Sequence, residues 1–124
     1  MHPIRDLERP KLSPLAMARV RAYIDAHLCD AITLDDLAAA ACISRFHFAR
    51  LFRATTGSSP MAYVREARIA AAKVILAQSL HPVSVASVAV SLGFFDHSHF
   101  TRTFRRLTGV PPCYFTRRVA GANQ

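Results

Sequence analysis

The chain has 124 residues, 52% of them apolar, and a formal charge of +8 from sixteen Lys and Arg against eight Asp and Glu. That length holds one compact domain or two very small ones with ample material for a core, and no apolar run approaches the roughly 20 residues of a membrane span. Three cysteines without CxxC spacing speak against a disulfide framework or zinc site, and four glycines with eight scattered carboxylates assemble no recognisable catalytic group or phosphate-cradling loop.

Residues 1–12, MHPIRDLERPKL, read as an irregular arm or linker remnant; they are charged and proline-containing where a signal peptide needs an apolar core, so a cytoplasmic protein is expected. Ser13-Pro14 is an N-cap followed by proline at the first helical position, and Leu15, Ala18, Val20, Ile24 and Leu28 predict a core-facing helix to about Leu28. Thr33 caps a short helix, LDDLAAAA, with Asp36 in the capping-box position and alanines that suit close packing against the next helix. The interval Ala41-Cys42-Ile43-Ser44 is too short for a long loop and ends in an N-cap, which predicts a helix-turn-helix.

Ser59-Pro60 opens the longest helix, expected to run to about Ser79, with Ile69, Ala72, Ile75 and Leu76 as its apolar stripe. At 1.5 Å per residue it is about 30 Å long. His81-Pro82 closes it, and Ser84 caps the next short helix, SVASVAVSLGF. Gly93 sits in the following turn, where absence of Cβ permits positive φ. Asp96 caps a basic helix that Gly109 and two prolines end. Phe100, Phe104 and Leu107 give its inward stripe and leave His97, Ser98, Thr101, Arg102, Arg105 and Arg106 on or near the other side.

The two halves match. At an offset of fifty-two, Phe48 pairs with Phe100, Arg50 with Arg102, Phe52 with Phe104, Arg53 with Arg105, Gly57 with Gly109, Pro60 with Pro112 and Tyr63 with Phe115. Upstream the offset is fifty-one, pairing Thr33 with Ser84, Leu37 with Val88, Ala38 with Ala89 and Ile43 with Phe94, so the second copy has one extra residue near Phe95. The chain is a tandem repeat of one helical unit. Cys42 falls where the second copy has Gly93, which predicts a slightly different or strained first turn. The expected fold is all-α, a homeodomain-like tandem of about seven helices. It comprises helix-turn-helix subdomains at 13–58 and 81–118, a linker helix at 59–80 and a tail at 119–124.

Charge points to a polyanion partner, because residues 67–124 carry seven basic residues and only Asp96. From about Leu15 to Arg118 the chain resembles the DNA-binding domain of the AraC/XylS family of bacterial transcription regulators. The strongest part is VASVAVSLGFFDHSHFTRTFRRLTGVPPCYF, and LDDLAAAACISRFHFARLFRATTGSSPMAYVREARI agrees with it. Two departures are Thr116, where the family usually has arginine, with Arg117 and Arg118 following, and Cys42.

The resemblance implies a promoter site in double-stranded DNA, read by two recognition helices in successive major grooves, and activation through RNA polymerase. It implies neither a cofactor nor a metal, and a monomer for a chain of this size. His97, Ser98, Thr101 and Arg102 are then base-edge candidates in the second unit, with Arg105 and Arg106 on phosphates. In the first unit Arg45, Phe46, Ala49 and Arg50 occupy positions that face bases in the family, with Arg53 on a phosphate. Guanidinium can donate two bonds to guanine, and hydroxyls or apolar groups can meet other base edges. The alternatives are a solvated or salt-bridge role for Arg50 and Arg102 and a core-edge role for Phe46. His97 and His99, two apart on a helix, point away from each other and make a poor metal pair. As alternatives for the whole chain stand an isolated C-terminal DNA-binding domain of a larger ligand-sensing regulator and a nonspecific architectural protein.

Overall fold

The computed structural model describes residues 10–78 and 84–112. Most of the N-terminal arm, Ser79, His81-Pro82, Cys113, Phe115, Thr116, Arg117, Arg118 and the tail lie outside the described residues. Six helices stand among the described residues, with no strand: α1 Pro14–Ala26, α2 Leu34–Ala41, α3 Arg45–Thr56, α4 Pro60–Gln78, α5 Val85–Ser91 and α6 His97–Thr108. They fall into two compact units. Of the described residues, the first takes 10–27 with Ile32–Val64, and the second takes Leu28–Ala31 with those from Arg65 to 112.

In the first unit each helix starts where a side chain can satisfy free amides. Ser13 accepts from the Ala16 N–H at 3.0 Å, with Pro14 at the first helical position. Thr33 and Asp36 form both arms of the capping box, at 3.1 and 2.9 Å. Ser44 accepts from the His47 N–H at 3.3 Å. The core draws Met17, Val20 and Ile24 from α1, Leu37, Ala38 and Ala41 from α2, and Phe48 and Phe52 from α3, closed by Val64.

Two expectations for α1 need correction. Leu15 is 61% exposed and Ala18 is also exposed, while Met17 is buried. The buried stripe is Met17, Val20, Ile24, at i, i+3, i+7, and the positions one residue off it face water. The helix also stops at Ala26 rather than near Leu28, since His27 leaves helical geometry and its ring stacks on Tyr23, with Nδ1 2.8 Å from the Tyr23 carbonyl.

The second unit is built around Phe100 and Phe104 of α6, packed with Val88, Ala89 and Leu92, Phe94, and the Ile69, Ala72 and Leu76 stripe of α4. Ile75, expected in that stripe, is partly exposed, as is Leu107 at 42%. Both sit at the edge of their stripes, where a helical turn of 3.6 residues carries a side chain off the buried arc. Arg68 ties this unit together by donating to the Leu28 carbonyl at 3.2 Å and the Asp30 carbonyl at 2.6 Å. Those bonds place residues 28–31 with the second unit. Burial pushes the Arg68 guanidinium below its ordinary value, a fall that interaction with Cys29 opposes; an arginine starting from so high a value remains charged.

The repeat persists at the level of single hydrogen bonds. Each first turn closes with paired bonds, Cys42 N–H to Ala39 O and Ile43 N–H to Ala38 O in one copy, Gly93 N–H to Val90 O and Phe94 N–H to Ala89 O in the other, all 3.0 to 3.1 Å. Cys42 takes φ 63° and Gly93 φ 78°. The first turn thus keeps the same left-handed geometry with a side chain in place of a hydrogen, at a cost of roughly 1–2 kcal/mol. The helix ends match as well. Gly57 and Gly109 donate to Arg53 O and Arg105 O, both at 2.8 Å, while Thr56 and Thr108 bond back to Phe52 O and Phe104 O.

Candidate nucleic-acid interface

The capping residues and inward phenylalanines decide which side chains of α3 and α6 meet solvent. In α3, Phe48 and Phe52 are fully buried, so Arg45, Phe46, Arg50 and Arg53 are exposed and Ala49 is half-buried. Phe46 is 78% exposed and covers no core edge. Arg45 is held by Asp35, with Nε 3.0 Å from Oδ1 and Nη2 3.3 Å from Oδ2, and its guanidinium lies 5.8 Å from the Phe46 ring centre. Both members of the pair are more than half exposed, so it contributes only about 0.2–1 kcal/mol. Its effect is to hold Arg45 against the N-terminal turn of α2. No sequence rule joined residues 35 and 45; the turn brings them together.

In α6, Asp96 accepts from the His99 N–H at 2.7 Å. His97, Ser98, Arg102, Arg105 and Arg106 are all exposed. Thr101 differs from expectation: it is half-buried, and its Oγ1 is buried without a hydrogen-bond partner. At 100° per residue Thr101 lies close to the Phe104 side of the helix, at the edge of the buried face. The guanidinium groups of Arg50, Arg53, Arg102, Arg105 and Arg106 have no hydrogen bond or ion pair among the described residues. Free guanidinium groups on helix faces that lack carboxylate favour a polyanion.

A second arrangement was not legible in the sequence. Arg65 of α4 lines a cavity of about 540 Å³ together with His99, Arg102, Thr103 and Arg106, all in the second unit. The four α6 residues share one flank, at i, i+3, i+4, i+7. Arg65 is distant in sequence and carries no local signal of its own. The ring of His99 packs edge-on to Phe94 at 5.5 Å, and its Nδ1 is buried without a hydrogen-bond partner. Among the described residues no group of three His, Cys, Asp or Glu side chains stands close enough to hold a metal ion, and no helix is long and apolar enough to cross a membrane.

Two left-handed turns, matched N-caps and an exposed basic second helix in each unit define a tandem helix-turn-helix protein. A helix-turn-helix domain family model matches residues 37–118. The regulatory protein PocR of Salmonella typhimurium is 34% identical over 103 residues, which is 83% of this chain and 33% of that protein. The transcriptional activator NphR of a Rhodococcus species is 39% identical over 105 residues, 84% of this chain and 30% of its own length. Among solved structures, the DNA-binding domain of AdpA in complex with a target DNA superposes with a TM-score of 0.78 at 31% identity, covering 89% of this chain and 96% of that one. An AraC-type transcriptional regulator from Chromobacterium violaceum gives 0.78 at 25% identity, over 85% and 92%. The chain belongs to the AraC family of helix-turn-helix transcription regulators. It spans roughly a third of the length of these two curated relatives.

Proposed function

We propose that this chain is the DNA-reading part of a transcription regulator and places α3 and α6 in successive major grooves of a promoter site of roughly 20 base pairs. The duplicated helix-turn-helix carries the reading, since each copy presents an exposed helix face with unpaired arginines. In this reading His97, Ser98 and Arg102 meet base edges from α6, and Thr101 offers an apolar surface, suited to a thymine methyl, because its hydroxyl is buried. Arg105 and Arg106 hold phosphates. From α3, Arg45, Phe46, Ala49 and Arg50 face bases and Arg53 a phosphate. Arg45 must exchange Asp35 for DNA, so the first unit gains less from that arginine than an unpaired one would supply. The functional halves are residues 13–58 and 81–118, with 59–80 as the linker.

The same reading extends to activation through contact with RNA polymerase in the cytoplasm, with this chain acting as a monomer. A second reading has specific support. Relatives of two to three times this length suggest that an equivalent of this chain acts as the DNA-binding part of a larger, signal-sensing regulator. The test for both is selection of binding sites from a random duplex pool at near-physiological salt. An asymmetric motif of two short blocks about ten base pairs apart, one helical turn, is the expected result for a monomer reading with both units. A paired, symmetric arrangement of such motifs would favour a dimer assembled through additional sequence. No enrichment at all would end the sequence-specific reading.

A further inference from the structure

The cavity beside α6 collects three guanidinium groups, from Arg65, Arg102 and Arg106, with His99 and the buried Thr103 completing its lining and no carboxylate among the five. None of the three guanidinium groups has an ion-pair or hydrogen-bond partner among the described residues. Like charges gathered around one concavity repel one another, and an anion between them converts that repulsion into attraction. Arg65 comes from α4 while the others come from α6, so the concavity is bounded from two elements rather than spread along one helix face. His99, one of the lining residues, has its Nδ1 buried without a hydrogen-bond partner.

We infer that this concavity is a receptor for one phosphate of the DNA backbone, clasped by Arg65, Arg106 and His99, while Arg102 forms the wall nearest the base-reading face. The inference rests on the reading of the chain as a DNA-binding protein. It adds α4 to the elements that touch DNA and names two residues, Arg65 and His99, that no helix-face pattern assigns to contact. Arg65 suits the task because a planar guanidinium can grip a phosphate with two parallel bonds, and it reaches that phosphate from a helix outside the groove. The clasp fixes the depth and register of α6 and carries no sequence information.

The test measures the affinity of the chain, Arg65→Ala, Arg65→Lys and, as a charge control on the same helix, Lys73→Ala. Each is titrated with salt against a duplex carrying the selected site and a scrambled duplex of equal length. Arg65→Ala is expected to weaken both duplexes alike, on the order of tenfold, and to reduce the slope of log affinity against log salt by about one. Arg65→Lys restores the slope, and Lys73→Ala changes affinity far less. Should Arg65→Ala fail to fold, Arg65→Gln is read in the same way. A native chain that binds neither duplex overturns the DNA reading itself. A native chain that binds, with Arg65→Ala equal to Lys73→Ala or weakened on the site duplex alone, overturns only the clasp. Replacing chloride by inorganic phosphate at constant ionic strength sets a free anion against the backbone diester for the same cavity. Native affinity is expected to fall more than that of Arg65→Ala, and an equal change in both would overturn the inference.

Discussion

Gly93→Ala tests how the turn before α6 is held. Gly93 has φ +78°, and an added Cβ would stand 3.0 Å from Arg68 Nη2 and 3.1 Å from Cζ. Gly109, in the same unit, has φ +86° but nothing within 4 Å of the corresponding position. Gly109→Ala therefore reports backbone strain alone, about 1–2 kcal/mol. At Gly93 the same strain applies, and the guanidinium must also give way. It is a flexible group in principle, but here it is anchored to two carbonyls at 3.2 and 2.6 Å. Weakening one such charge-assisted bond adds about 1–2 kcal/mol, so Gly93→Ala is expected to cost about 2–4 kcal/mol in total. Urea unfolding followed by helical circular dichroism measures the difference, and Arg68→Ala completes a double-mutant cycle. With the guanidinium gone, the excess over Gly109→Ala should vanish. Equal costs at the two glycines, or strict additivity in the cycle, would refute the proposed wedge between turn and arginine.

The remaining predictions concern the opposite turn, the caps and the exposed face. Cys42→Gly relieves left-handed strain of about 1–2 kcal/mol and adds unfolded-state freedom worth about 0.5–1, so thermal unfolding should show a small net stabilisation; a clear loss would mean the thiol packs usefully. Thr33→Ala removes one arm of the capping box and is expected to cost about 1 kcal/mol in the same measurement. Asp35→Ala should change stability by no more than about 1 kcal/mol, yet raise affinity for duplex DNA several-fold in a fluorescence titration by freeing Arg45; unchanged affinity would remove Arg45 from the interface. Thr101→Val replaces a buried, unpartnered hydroxyl and should stabilise by about 1 kcal/mol while leaving site affinity intact; a loss of affinity would show that the hydroxyl turns outward to a base.

What was legible in the sequence was whatever chemistry acts within a few residues. Caps at Ser13, Thr33, Ser44, Ser84 and Asp96 all form as their residue types predict, since a short side-chain oxygen can reach the amides of the next turn without help from elsewhere. The tandem repeat was legible because the same local solutions recur, down to the threonine that bonds back at the end of each recognition helix. Stripe edges were less secure. Leu15 and Leu107 are apolar, but at 100° per residue a one-position error moves a side chain from core to water.

The parts of the site that stayed hidden all depend on residues far apart in the chain. Arg45 reads as a base-facing arginine until the turn sets it against Asp35, and Arg65 has no role in the sequence pattern until α6 presents His99, Thr103 and two arginines around it. Thr101 shows the converse: its position on the wheel is close to the reading face, yet whether methyl or hydroxyl meets solvent is a choice of rotamer that spacing does not encode. In the proposed reading, helix periodicity therefore points to which helix reads, whereas pairing such as Arg45 with Asp35 decides which of its arginines are available to do so. The exposed guanidinium of Arg102, unpaired on the outer face of α6 and bordering the cavity proposed to receive a phosphate, is where those two levels meet. In the proposed reading, a helix clasped by its flank at Arg65 and Arg106 would hold Arg102 at one depth in the groove, and that constraint would turn a flexible cation into a base-specific one.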